Sequence, residues 1–265
     1  MNRRSCLIAL LVSLLAHFPS AARAQVFDRD YLEQSNGVLK ASAGLFSDRM
    51  FRGQNLYDGT SIQGALELGI GSELGLTYIG GFTHISNDRN HGAANEESFN
   101  EFDFELGHRF QFDEMQLGLG HRWYTYSRTT ERLQDTGEFF AELTTGYIGH
   151  PHISLDFDHD EFEGLYYETG LEQPIPLGLN NERDAIVPSV TIGLSSGLDE
   201  ESGDHAIYDD GGIAFVEVGL KGVFGLTEGI NLEPSMKYVE DIDDATTSDF
   251  IFGMALTADL GAKRQ

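Results

Sequence analysis

Three stretches of the sequence carry residue types that could do covalent or metal chemistry. "GLSSG", Gly193 to Gly197, has the G-x-S-x-G spacing of a serine nucleophile. That chemistry needs the serine on a sharp strand-to-helix turn. Here the motif ends an alternating segment and runs into an acidic loop, so Ser195 and Ser196 read as strand residues. "DFDHDEFEG", Asp156 to Gly164, begins like a calcium loop, but its sixth position is Glu161 where Gly is required and its twelfth is Tyr167 where Glu is required. Asp158, Asp160, Glu161 and Glu163 then read as a solvated acidic rim able at most to hold a surface cation. His108 and His121 each precede an arginine, yet no serine and acid fall in phase beside either, as a lipase would need. No enzyme, catalytic residue, cofactor or dedicated metal centre is expected.

The elements that position such residues follow from the whole chain. It has 265 residues and opens "MNRRSCLIALLVSLLAHFPSAARAQ": a basic head at Arg3 and Arg4, an apolar run, and Ala22-Arg23-Ala24. This order is that of a cleaved secretory leader over residues 1–24. Cys6 sits directly after the charges, which is not where a lipidation signal places its cysteine. Cys6 is also the one cysteine, so the exported part has no disulfide framework and no thiol chemistry. Without the leader's three basic residues, 14 basic side chains face 43 acidic ones, a charge of −29. Such a field repels nucleic acid and favours cationic or neutral visitors.

Beyond the leader no run of roughly 18 apolar residues occurs, and no helical stripe is sustained. Period two recurs instead. In "EFDFELGHRF", Phe102, Phe104, Leu106 and Phe110 alternate with Glu101, Asp103, Glu105 and Arg109. "SIQGALELGIG" and "MQLGLGHRWYTY" repeat the pattern, which is that of half-apolar strands. Twelve candidate strands result: 38–46, 62–71, 74–85, 99–110, 115–127, 137–148, 152–160, 164–172, 185–196, 213–224, 230–239 and 249–261. An even count suits a bacterial barrel. Most connections alternate long and short, as "SDRMFRGQNLYDGTS" then "GSE", or "SNDRNHGAANEES" then "QFDE". The exception is a short "EFEG" followed by a longer "QPIPLGLNNERD".

This pattern predicts an all-β fold: one closed antiparallel transmembrane β-barrel of about 12 strands, with short periplasmic turns and longer extracellular loops. The expected organisation is a periplasmic segment at 25–37, the barrel at 38–261 and a tail at 262–265. A secreted β-sandwich also alternates. Against it stand the large residues on the outward phase and the number of charges on the inward phase, where each unpaired ion in a dry core costs several kcal/mol. The inward phase holds the candidate pore-lining residues Glu67, Asp103, Glu105, Arg109, Arg122, Glu138, Glu142, Glu168, Glu217 and Lys221. If strands four and five turn near "QFDE", Arg122 comes opposite Asp103 or Glu105, with Arg109 nearer the periplasmic end. The last strand, "DFIFGMALTADLGAKRQ", alternates as assembly machinery reads it, but "GAKRQ" stands where a terminal aromatic is usual.

The first connection carries a resemblance. Ser47, Asp48, Phe51, Arg52, Gly53, Asp58, Gln63 and Gly64, with "YTYS" at 124–127, "GEFFAELTTGYIG" and "GLYYETGLEQPIP", resemble the TorF-like porins, the family also labelled Gcw_chp. The likeness spans most of 40–197 and departs at Arg49, where an aromatic is usual, and at Ser127-Arg128, in place of Pro-Gly. It implies a porin-like barrel. Asp48, Phe51, Arg52 and Asp58 are then candidates for the pore mouth. Phe51 and Tyr57 are placed at the outer aromatic girdle, and Arg52 folds toward Glu67 or its neighbours.

The functional expectation is a channel of the bacterial outer membrane for passive diffusion of small solutes, with an acidic, cation-preferring lumen. Its partners would be outer-membrane lipid and lipopolysaccharide, cationic or neutral solutes, and the barrel-assembly machinery. The alternatives are a closed structural or receptor-like barrel whose acid–base ladders fill the lumen, and, at a further remove, a lipid-modifying enzyme.

Overall fold

The computed structural model describes residues 35–86, 100–127, 135–160, 164–178, 183–196, 212–242 and 248–263. The leader, residues 25–34 and much of the long connections lie outside them. The strands are β1 Ser35–Phe51, β2 Gln54–Ser72, β3 Gly75–Ser86, β4 Asn100–Phe112, β5 Met115–Ser127, β6 Thr136–Thr145 and β7 His152–Asp158. They continue as β8 Leu165–Glu172, β9 Ile175–Pro176, β10 Ala185–Ser195, β11 Gly212–Thr227, β12 Ile230–Asp241 and β13 Asp249–Lys263. The sheeted part is therefore slightly wider at both ends than 38–261.

Every pairing is antiparallel, and each strand but β9 has a neighbour on both sides. The ring closes where β13 pairs with β1, from Val38 opposite Gly261 to Phe46 opposite Gly253. Twelve strands make the barrel. The two-residue β9 is an extra piece that continues the edge of β8 along β10 after Gln173-Pro174, pairing Ile175 with Ile186. A break there has a simple cause, since Pro174 has no N–H to give to a ladder.

Period two decides which side chain goes where. The apolar phase points out: Leu66, Phe102, Phe139 and Phe252 are each at least half exposed. A band of this kind around the whole molecule is far beyond the apolar patch a soluble monomer tolerates. Inside, the described residues form small apolar clusters such as Val38, Leu76, Tyr78 and Phe140 in place of one continuous core. Glycine makes room for them. A side chain on Gly107 would meet the Tyr78 ring at 2.6 Å, and one on Gly120 would collide with Phe140. The aromatic rings lie flat over glycine backbone on the neighbouring strand.

The first hairpin departs from expectation. Residues 47–61 are mostly strand, and β1 and β2 continue past the barrel to a two-residue turn at Arg52-Gly53. Both turn residues have positive φ, 52° and 83°, as a hairpin turn that matches strand twist requires. The more familiar signal, Asp58-Gly59, lies inside β2. Register shifts between Phe46 and Asp48 and between Arg49 and Met50 mark bulges, which bend a strand and increase its twist.

Candidate functional site: the lumen

Register alone builds a charged row around the inner wall. Lys40 stands opposite Asp259 on one side and Glu67 on the other. The row continues through Gly80, Glu105, Arg122 and Glu138 to Asp158. Acids and bases directly opposite each other on one face attract across the strands. Arg122 realises this with Nε on Glu105 at 2.8 Å, Nη1 on Glu138 at 3.1 Å and Nη2 on Glu142 at 3.4 Å. Arg122 is thus opposite Glu105, one of the two partners expected for it.

Two further arginines bind carboxylates through both fork nitrogens, the geometry that makes Arg–carboxylate pairs strong. Arg109 donates to Glu67 at 2.8 and 2.7 Å and lies over the Tyr78 ring at 3.9 Å. Arg49 donates to Glu101 at 2.6 and 2.8 Å and lies over Phe82. Tyr124 donates to Glu138, and Tyr78 to Glu105. This network lines the β3–β8 side of the lumen.

The hairpin tip completes it. Arg52 donates to Glu138 on β6 and lies 3.8 Å from Asp156 on β7, with Tyr166 of β8 under its guanidinium. In strand order β7 is six places from β1 in a ring of twelve, so the tip reaches the opposite wall. Gly53 sits against Phe215 of β11, where any side chain would collide. Two expectations are corrected here. Arg52 meets Glu138 and Asp156, because the tip crosses to the far wall while Glu67 stands toward the short turns. Phe51 and Tyr57 turn inward, packing edge-on against Tyr124 and His84, because the bulges bend the hairpin over the lumen and not along the wall. Asp48 is buried and receives the Ser47 hydroxyl, while Asp58, paired with it in register, stays exposed.

The other half of the lumen, along β10–β13, β1 and β2, is lined differently. Lys237 pairs with Glu217 at 3.0 Å, Lys221 with Glu233 at 3.8 Å and Lys40 with Glu67 at 4.0 Å. These lysine side chains are 42–47% exposed, against 11–21% for the arginines. Two cavities are stacked along β12, β13 and β1, the larger also bordered by β3, β4 and β5. One of about 500 Å³, toward the short turns, is bounded by Lys40, Glu67, Tyr78, Asp103, Glu105 and Glu233 among others. Another of about 290 Å³, toward the hairpin tip, is bounded by Asp48, Arg49, Arg52, Glu168, Glu217 and Lys237 among others.

All ten residues proposed from the sequence as pore-lining therefore stand on the inner face. Seven are grouped through the arginine network or the larger cavity: Glu67, Asp103, Glu105, Arg109, Arg122, Glu138 and Glu142. Lys221 reaches that cavity through Glu233, and Glu168 and Glu217 line the smaller one. Sequence reading passed over Arg49, Tyr78 and Tyr124. Their signal was present for the tyrosines, which share the inward phase of β3 and β5; Arg49 lies between two bulges, where phase is lost.

The stretches that suggested chemistry are used structurally. Ser196 Oγ accepts the Leu165 amide at 3.2 Å at the end of β10, with no helix following it among the described residues. Asp158 accepts from the Thr136 hydroxyl at 2.8 Å and from the Asp160 amide at 3.0 Å; Glu161 and Glu163 lie outside the described residues. His108 and His121 are not partners of each other: His108 meets Thr77 at 2.8 Å, and His121 meets His159 at 2.7 Å.

No family model matches the chain and no curated protein matches it in sequence, so the resemblance to the TorF-like porins rests on its motif residues alone. Among solved structures it is similar to the KdgM porin, with a TM-score of 0.47 and 5% identity over 84% of this chain and 99% of that one. Outer membrane phospholipase A from Escherichia coli gives 0.44 and 10% over 90% and 98%. The COG4313 outer membrane channel from Pseudomonas putida F1 gives 0.54 and 12% identity over 92% of this chain and 99% of that one, a likeness that shows a shared barrel fold.

Proposed function

We propose that this protein is a channel of the bacterial outer membrane through which small solutes diffuse passively, with a preference for cations. The observation that carries the reading is the pair of stacked cavities beside a closed, apolar-jacketed wall. Cavities of about 500 and 290 Å³ lie inside the wall, one toward the short turns and one toward the hairpin tip. The apolar belt supports a membrane setting, because a closed ring of strands leaves no backbone group unpaired in hydrocarbon. The solved barrel of similar fold from Pseudomonas putida F1 is an outer membrane channel. Cation preference rests on the inner face: carboxylates outnumber arginines and lysines there, and rings of Asp and Glu favour cations in a pore.

The lipid-modifying-enzyme reading draws no support from Ser195, Ser196, His108 or His121, which the fold does not bring together. The closed-barrel alternative has one observation in its favour, the hairpin tip reaching across the lumen. Planar-bilayer recording separates the two. We expect discrete conductance steps, with a reversal potential in a potassium chloride gradient displaced toward the potassium equilibrium value. Absence of steps from a barrel with folded gel mobility would establish the closed barrel.

A further inference from the structure

We infer that the larger cavity is a binding site for a small organic cation bearing an ammonium or guanidinium group, with Asp103 as its docking carboxylate. The inference rests on the channel reading for its role, since a solute-binding site inside the lumen belongs to solute passage.

Asp103 is the exception among the charges of the inner wall. It is 6% exposed, lines the cavity, and makes no hydrogen bond or ion pair with any described residue. A buried carboxyl without a partner is costly, and such groups are normally paired or bound to something. Its neighbours cannot supply the partner. Arg49 gives its fork to Glu101, and Arg122 is committed to Glu105, Glu138 and Glu142. Five carboxylates and three cationic side chains line the space, so its balance is negative.

These features specify a donor with positive charge. The volume, about 500 Å³, lies in the range of small-molecule sites and exceeds what a bare ion needs. No group of three metal-ligating side chains occurs among the described residues, which points away from a coordinated metal and toward an organic cation. Oδ1 of Asp103 is sealed inside the wall, so a ligand's N–H would meet the other carboxyl oxygen, with its carbon body against Phe82, and give this carboxylate the counter-charge its neighbours do not supply.

The test is calorimetric titration of the full-length barrel, folded in detergent, with n-butylammonium chloride. We expect saturable binding that weakens at least about tenfold in Asp103→Asn, the usual size of a lost charged hydrogen bond. Asp103→Glu, which keeps the charge, should retain it. Heat-modifiable gel mobility checks that each variant is folded. Equal binding by wild type and Asp103→Asn, or no saturable binding to wild type, overturns the inference. Conductance is read separately: a non-conducting barrel that binds butylammonium through Asp103 refutes the channel and keeps the site, and a conducting barrel indifferent to Asp103→Asn does the reverse.

Discussion

At the scale of single residues, Glu138 holds the most. It is fully buried, and it accepts from Arg122, Tyr124 and Arg52, which come from two neighbouring positions on β5 and from the hairpin tip. Buried ion pairs contribute little net stability relative to an apolar replacement, because desolvation offsets attraction. Removing one partner is another matter, since it strands the other charges. Glu138→Ala leaves two buried guanidiniums without their shared acceptor and should cost about 3–5 kcal/mol. Glu138→Gln keeps an acceptor oxygen and should cost less. The check is the temperature at which each variant loses its folded gel mobility, with the order wild type, Gln, Ala from high to low. An Ala variant that melts with wild type would mean that Arg52 and Arg122 find other partners at no cost.

At the scale of elements, the β1–β2 hairpin is what distinguishes this lumen. Arg52→Ala removes its contacts to Glu138, Asp156 and the Tyr166 ring while Arg122 and Tyr124 still occupy Glu138. The tip loses its hold on the far wall, and single-channel conductance should rise, with more frequent steps between levels. An unchanged conductance would show that the tip does not limit passage. The strands themselves were legible in the sequence: alternation in "EFDFELGHRF" gives the faces of β4 and, through the turn at "QFDE", narrows the partner of Arg122 to Asp103 or Glu105, of which the register selects Glu105. The tip was not. Arg-Gly is a poor turn signal beside Asp58-Gly59, and two bulges reset the phase between Phe46 and Met50, so no periodicity can carry Arg49 or Phe51 to the correct face. Nor could strand phase reveal that the rings of Tyr78 and Phe140 lie over Gly107 and Gly120, because that depends on register between strands.

At the scale of the whole molecule, function depends on closure, and closure depends on one seam. β1 and β13 are the strands farthest apart in sequence, so their pairing carries the largest loop-closure cost of any ladder. The charge rows cross it, Asp259 opposite Lys40, so a seam that opened would expose both the charges and two unpaired strand edges to lipid. Ala41 and Ala258 face each other directly across this seam. Beyond Cys6 the chain has no cysteine, so Ala41→Cys with Ala258→Cys gives a single bridge at the cost of two methyl groups. Directly paired strand residues are close enough for disulfide geometry. Locking nearly the whole sheet into one covalent loop should stabilise by about 5 kcal/mol in the chain-entropy account. The oxidised barrel should therefore keep its folded gel mobility to a higher temperature than wild type and return to wild-type behaviour with reductant. Conductance should be the same in both redox states, since neither alanine belongs to the inward phase; failure of the two cysteines to bridge would show that the ring does not close in this register.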